Sequence, residues 1–380
     1  MPKLRRYFSP CTIGLEEVLE RELTDLGALQ VERRRGGVHY RGDLALGYAS
    51  CIWLRTAVRV QEEIAHGQVD NKQDLYDLVS AMTWAQYMDV DQTLGVDASI
   101  RDSFARDPRT ASLTVKDAIV DQFRDREGRR PSVERKLPHL PLRIILQGNH
   151  ARLYRDFCGE SLHKRGYRPI QVKSPVNESL AAGLLLLAGW DRRSSLLDPM
   201  CGSATILIEA ALLAGDRAPG LAKSFPFDLW PDFEADSWTR LVADAEHRAA
   251  DGAANIPRLF GADRHSGALS VARKAVQTAG VAKYITLETS RISDLNPADH
   301  YDNIFVNPPY GERIGEEEDL ERSWHDLGTF LHERCHGATA FVLSGNPALT
   351  KQLRLRASRK WPVKNGPLDC RLVQYNLRPR

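Results

Sequence analysis

Long apolar runs are missing from this chain of 380 residues. Nothing approaches the ~18 consecutive apolar positions a membrane helix needs, and the longest candidate, from Leu180 to Trp190, reads as a core helix. The positive charge of Lys3, Arg5 and Arg6 is followed by no apolar segment, so no secretory signal and a cytoplasmic location are expected. Cysteine is sparse: Cys11, Cys51, Cys158, Cys201, Cys335 and Cys370 stand far apart with no C-x-x-C pair. That spacing argues against a zinc site or an iron–sulfur cluster and for reduced thiols, and no metal is expected. Internal repeats of 20–50 residues and low-complexity tracts are absent as well. Charge of one sign is scarce, the net value being +2. Residues 1–173 hold 28 Lys+Arg against 24 Asp+Glu, and the remainder 24 against 26, a weaker bias than a dedicated nucleic-acid binder carries. With 42% hydrophobic and 27% charged residues, the composition is that of an ordinary globular chain, and its length suggests two to three domains.

Two short stretches carry the chemistry. Asp302-Asn303-Ile304-Phe305-Val306 reads as a buried strand, and Asn307-Pro308-Pro309-Tyr310 follows it. Open α/β sheets place ligands at such carboxyl ends of strands. Consecutive prolines fix φ and keep the preceding residue out of the helical region, so an amide, a stiff turn and an aromatic ring are held with little freedom. The arrangement suits a flat base: the ring stacks on it while the Asn307 oxygen and the Pro308 carbonyl accept hydrogens from an exocyclic amine. Upstream, Leu196-Leu197-Asp198-Pro199-Met200-Cys201-Gly202-Ser203-Ala204-Thr205 reads strand, tight turn, helix. The turn has neither G-x-G-x-x-G nor the Lys-Ser/Thr of a P-loop. These two motifs together resemble the class I S-adenosylmethionine methyltransferases that modify amino groups of bases.

The rest of the chain alternates helices and strands. In the first half, helices are expected around 15–23, 44–56, 75–82 and 113–123, and strands at 38–40, 58–65 and 94–100, with an antiparallel pair at 142–146 and 151–157. Residues 166–175, with Pro169 and Pro175, read as a linker. A helix opening at Pro175-Val176-Asn177-Glu178 follows; Asn177 and Glu178 are either cofactor contacts or simple caps. The insert 215–257, with Phe225, Phe227, Trp230 and Trp238, reads as aromatic packing first and a substrate wall second. Leu259 to Asp263 reads as a strand ending in an acid, with Arg264 beside it, and such a carboxylate can accept both ribose hydroxyls of an adenosyl group. Residues 370–377 read as a terminal strand closing the sheet antiparallel.

Further segments widen the resemblance. They are Leu15 to Leu26 with Arg35-Gly36-Gly37-Val38, Val115 to Asp121, Arg130-Pro131-Ser132-Val133 and Gly159 to Arg168. These are similar to the THUMP module, and in particular to the version fused to bacterial 23S rRNA guanine-N2 methyltransferases of the RlmL type. The resemblance runs from about residue 7 to about residue 378. It implies an α/β fold: a Rossmann-like class I methyltransferase sheet at 169–380, parallel with an antiparallel terminal strand. Ahead of it, at 1–168, it implies an α+β RNA-binding domain, ferredoxin-like plus THUMP. It implies S-adenosylmethionine as cofactor, bound by Asp198, Met200, Cys201, Gly202, Ser203, Ala204, Asp263 and Arg264 with Asn177, Glu178, Ser290, Arg291 and Asn307. It also implies catalysis by Asn307, Pro308, Pro309 and Tyr310. Where similar enzymes place an acid for the adenine amine, this chain has Ser290-Arg291, and Ala204 replaces a glycine-type residue of the turn.

The implied substrate is a guanosine N2 amine in structured RNA, 23S rRNA or alternatively tRNA, modified by a monomer. Basic clusters that would meet RNA are Arg124, Arg126, Arg129, Arg130, Arg135 and Lys136, then His163, Lys164, Arg165, Arg168 and Lys173; a solvated face is the plainer reading of both. Two rivals stand beside this reading. A DNA adenine or protein glutamine methyltransferase shares Asn-Pro-Pro-Tyr but not this first half. A noncatalytic RNA-binding protein with a degenerate cofactor site would explain Ala204 and Ser290-Arg291.

Overall fold

Two burial patterns build two sheets. Strands before residue 160 mostly alternate buried and half-exposed positions, as in Leu140–Gln147, whereas Leu196–Asp198 and Thr339–Ser344 are buried almost continuously. Alternation marks a sheet covered on one face, and continuous burial a parallel sheet covered on both. The computed structural model describes residues 3–168, 176–309 and 317–379, the side chains of 317–319 excepted. They form two compact units, one of Met1–Pro10, Glu20–Leu162 and Lys223–Val242, the other of Cys11–Leu19, His163–Ala222 and Ala243–Arg380. The division expected at residue 168 follows chain order; the observed one sends 11–19 to the second unit and 223–242 to the first.

The elements run β1 (Arg5–Pro10), α1 (Glu16–Asp25), β2 (Leu29–Arg34), β3 (Gly37–Gly42), α2 (Leu44–Trp53), β4 (Gln61–Gln68) and α3 (Lys72–Ser80). Then follow β5 (Thr93–Arg101), α4 (Pro108–Glu127), β6 (Ser132–Val133), β7 (Leu140–Gln147) and β8 (His150–Asp156). The eight strands pair in the order β2-β3-β1-β4-β8-β7-β5-β6. All pairs are antiparallel except β5 with β6 and with β7. Local signals place the ends of α4: Asp107 caps its first turn with Pro108 next, and Gly128, at φ +68°, ends it.

The aromatic insert packs inside this first unit. Phe227 lies 4.6 Å from Tyr48 and 5.0 Å from Trp238 between ring centroids, and Trp230 meets Phe157 edge-on at 5.0 Å. Trp230 also donates its indole N–H to the His139 carbonyl. At the centre lies Arg155, whose side chain has no exposed surface. It donates two hydrogen bonds to Asp232, at 2.9 and 2.7 Å, and one to Glu62, and its guanidinium sits 4.3 Å from the Trp230 ring. Arg5 bridges the same two carboxylates. Packing is therefore what the insert's aromatics do in the first unit.

The second unit continues with α5 (Glu178–Leu187), β9 (Leu196–Asp198), α6 (Thr205–Ala214), α7 (Ala235–Gly252), β10 (Leu259–Asp263), α8 (Ser266–Thr278) and β11 (Ile285–Thr289). It ends with β12 (Asn303–Val306), α9 (Glu317–Arg334), β13 (Thr339–Ser344), α10 (Pro347–Gln352), β14 (Arg359–Asn365) and β15 (Leu368–Asn376). The order is β11-β10-β9-β12-β13-β15-β14; the first five strands are parallel, β15 is antiparallel to β13 and β14 to β15. The antiparallel end is thus a hairpin, turning at Gly366 with φ +59°, where the sequence suggested one strand. The segment at 11–19 covers its edge: Lys364 N–H donates to the Ile13 carbonyl. Gly14, at φ +99°, must be glycine, because a Cβ there would stand 2.3 Å from the Pro362 carbonyl oxygen.

The buried charge cluster yields the first prediction. Arg155→Ala removes the fully buried one of the two cations that Glu62 and Asp232 share, leaving only Arg5, and should cost roughly 3–5 kcal/mol. Urea denaturation of the full chain measures it; a loss under about 1 kcal/mol would show that the cluster does not hold the insert.

Candidate active site

Strand order brings the two motifs together. β9 lies between β10 and β12, with Asp198 level with Gly261 and Leu197 level with Ile304. Asp198, Asp263 and Asn307 therefore all stand at the carboxyl edge, the last two about 10 Å apart across β9 at the usual strand spacing.

The turn after β9 is held by its neighbour. Asp263 accepts the Gly202 N–H at 2.9 Å on one carboxylate oxygen and the His265 N–H at 2.8 Å on the other. Cys201 N–H donates to the Ala262 carbonyl and Ala204 N–H to the Cys201 carbonyl. Gly202 has φ +53° and open space where a Cβ would be. Ala204 caps α6 at φ +60°, a left-handed conformation that costs a non-glycine residue about 1–2 kcal/mol. The sequence marked Ala204 as replacing a glycine-type residue; its φ is positive, and the surrounding bonds hold it there. Gly261 allows the close approach, since a Cβ would meet Leu207 at 2.5 Å.

Asp198 lies fully inside beside this clamp and accepts the Met200 N–H. Burial pushes its carboxyl up to about 8, the Asp263 charge adds to the rise, and the Met200 bond opposes it. The Cys201 thiol is pushed well above its ordinary value, by burial first and then by Asp198 and Asp263, so no thiolate nucleophile forms here. Met200 packs half-buried against the core.

On the other side of β9, Asn307 directly follows β12. Its side-chain oxygen is buried and, among the described residues, no donor reaches it. Such an acceptor costs stability unless something fills it. Pro308 is buried; the Pro309 carbonyl accepts the indole N–H of Trp324 at 2.8 Å, and Trp324 on α9 has no exposed surface. This tryptophan was missed in the sequence, where it is one more apolar residue of an amphipathic helix. Tyr310 lies outside the described residues, as does Lys173.

The remaining candidates disperse. Asn177 is a cap, its side-chain oxygen accepting the Leu180 N–H at 2.8 Å. Glu178 is buried and faces Arg168 at 3.5 Å; burial raises its carboxyl, against the pull of Arg168. Ser290 N–H donates to the Asp263 carbonyl and Ser203 shares a hydrogen bond with Thr205, while Arg264 and Arg291 are exposed. Two expected RNA contacts need correcting. The Arg165 side chain is 2% exposed and pairs with Glu209, which is fully buried and also accepts the Tyr167 hydroxyl. Arg168 is turned onto Thr205 and the Val176 carbonyl, beside the turn. Lys164 alone of these three is exposed. Arg129 and Arg130 are at the surface past α4, Arg129 next to Asp91. Among the described residues no helix is long and apolar enough to cross a membrane, and no group of three metal-ligating side chains is assembled.

Comparison with known proteins fits this geometry. Residues 165–374 match the RMKL-like methyltransferase domain, 6–61 the RlmL ferredoxin-like domain and 69–156 the THUMP domain. A putative RNA methyltransferase of Synechocystis sp. is 39% identical, covering 98% of this chain and 97% of its own. The ribosomal RNA large subunit methyltransferase K/L of Syntrophotalea carbinolica is 38% identical over 98% of this chain but 53% of its own, so the chain spans about half the length of such relatives. The crystal structure of SMU.472, a putative methyltransferase complexed with SAH, superposes with a TM-score of 0.90 at 26% identity and full coverage of both chains.

The raised Asp198 carboxyl gives a pH prediction. Between the ordinary carboxylate range near ~4 and about 8, the folded chain keeps a proton that the unfolded chain has lost. Raising pH across that window therefore lowers stability through this group. Asp198→Asn, which cannot titrate, should flatten the decline, read as urea midpoints at both ends of the window. Equal declines in both proteins would show that Asp198 is ionised in the fold.

Proposed function

Since the chain belongs to the RMKL-like methyltransferase family and carries the RlmL ferredoxin-like and THUMP domains ahead of it, we propose that it methylates the exocyclic N2 amine of a guanosine in 23S rRNA. The observation that carries this reading is the buried side-chain oxygen of Asn307 just after β12, which has no partner among the described residues. A site that leaves an acceptor empty inside the protein is built for a donor arriving from outside, and an amino group is one.

S-adenosylmethionine fits the residues on the neighbouring strands and, when bound, supplies an electrophilic methyl group. The backbone of 199–204, opened by Gly202, and the Asp263 carboxylate would hold it; each oxygen of that carboxylate accepts one backbone N–H and keeps a further lone pair for a hydroxyl. Asn307 then works on the substrate. An amine on an aromatic ring is a poor nucleophile because its lone pair is delocalised. Accepting one amine hydrogen at Asn307 and another at the Pro308 carbonyl draws the nitrogen toward tetrahedral geometry and exposes that lone pair. Trp324 supports this by tying down the Pro309 carbonyl, so the acceptors do not shift as the base enters. The base must leave its stack to reach the turn, at a cost of about a few kcal/mol. Tyr310 would stack on it, and the THUMP-containing half would bring the RNA. No covalent enzyme intermediate is needed.

Asn307→Ala removes one oriented acceptor while leaving the Asp263 clamp in place. Methylation of 23S rRNA should fall about 100- to 1000-fold, with affinity for S-adenosylhomocysteine nearly unchanged by calorimetry. Nucleoside mass spectrometry should show N2-methylguanosine as the wild-type product. Label in N6-methyladenosine, or in tRNA alone, would overturn the substrate assignment, and an Asn307→Ala enzyme at full speed would overturn the mechanism.

A further inference from the structure

A groove of about 870 Å³ in the second unit lies outside the site just described. One wall is a face of the β14–β15 hairpin. Lys360 stands opposite Val373, Pro362 opposite Arg371 and Lys364 opposite Asp369, and all six line the groove. Cross-strand partners share a face, so Lys360, Lys364 and Arg371 point the same way, with Lys360 and Lys364 about 13 Å apart along the strand. The other wall is α10, which adds Lys351, and the floor holds buried Val373 and Tyr375. Four cations thus face two carboxylates. Of these, Asp369 pairs with Lys364 at 3.2 Å, and Glu16 accepts the Gly14 N–H at 2.7 Å.

Its place in the sheet gives this groove a use. β13 ends at Ser344, which lines the groove, and β13 is the parallel neighbour of β12. Val306, the last residue of β12, is level with Val342, so Ser344 ends β13 just past the point where β12 gives way to Asn307. The groove therefore opens on the carboxyl edge that carries Asn307. A nucleotide swung out of its stack into the Asn307 turn must run its backbone along this edge. A single bound anion would leave most of the volume empty and most of the cations unused. Cations on two strands and a helix around an apolar floor instead fit a single strand, phosphates on the cations and bases on the floor.

We propose that this groove holds the single-stranded RNA flanking the target nucleotide, with Lys351, Lys360 and Arg371 on its phosphates. The proposal rests on the RNA methyltransferase reading above and extends it to how the substrate is gripped. It places a phosphate-binding surface inside the catalytic unit, separate from the basic residues of the first half.

The test replaces Lys351, Lys360 and Arg371 together by Gln in the full chain. The probe is a fluorescein-labelled oligouridylate of about 12 nucleotides with one central guanosine, bound in the presence of S-adenosylhomocysteine over a salt series. Three lost phosphate contacts should make the log–log salt slope shallower by about 2, and each single variant by about 0.7. For methylation of rRNA, KM should rise with kcat held. Unchanged S-adenosylhomocysteine affinity shows that the variants are folded, and the single variants carry the test if the triple one is not. A salt slope equal to wild type overturns the proposal, including the case in which the groove seats an acidic protein segment instead. If the slope drops but wild-type enzyme methylates no RNA, the groove stands and the functional reading falls; an unchanged slope with normal methylation reverses that outcome.

Discussion

The site depends on one carboxylate. Asp263 ends β10 and accepts N–H groups from two different loops, Gly202 after β9 and His265 after its own strand. That bond shapes the turn at 199–204 and supports the left-handed backbone at Ala204, whose strain an isolated turn would relax. The Asp198 carboxyl beside it is raised mainly by its own burial, to which the Asp263 charge adds. The position of the turn and the strain at Ala204 are therefore linked through one side chain.

Buried cations organise the rest. Arg155 holds the insert at 223–242 to the first unit through Asp232, Glu62 and an aromatic wall. Arg165 does the same on α6 through Glu209, inside the second unit. In both cases a planar guanidinium pairs with carboxylates that would be costly to bury alone, although among the described residues Oε2 of Glu209 accepts no hydrogen bond. A count of arginines treats these residues as available for RNA, although their burial makes them structural. Positive charge that meets solvent beside the Asn307 edge comes instead from Lys360 and Arg371 on a hairpin and Lys351 on α10, scattered in sequence and gathered only by strand pairing.

Much of the design was legible in the chain. The runs 196–198 and 303–306 announced themselves as buried strands because both of their faces are covered. The turns after them were readable because glycine permits positive φ and paired prolines fix φ locally. The fold class followed from the resemblance carried by the two motifs and the THUMP-like segments, and the strand read at 370–377 is β15, antiparallel to β13 with β14 beyond it. Strand ends moved by a few residues: β4 lies at 61–68 and not at 58–65, since pairing with β8 sets its limits and periodicity does not.

What the sequence determined by itself is therefore local: which segments are buried, where the chain must turn, and that an amide follows β12 on a stiff Pro-Pro turn. These depend on side-chain polarity and on backbone sterics within a few residues. Only the tertiary structure decided that 11–19 would cover the edge of β14, that 223–242 would join the first unit, and that Arg165 would be buried while Lys360 was not. It also decided that the Asn307 oxygen would have no partner among the described residues and that Trp324 would hold the turn beside it. Each of these is a contact between residues far apart in the chain, and such contacts leave no period or spacing in the sequence from which they could be read.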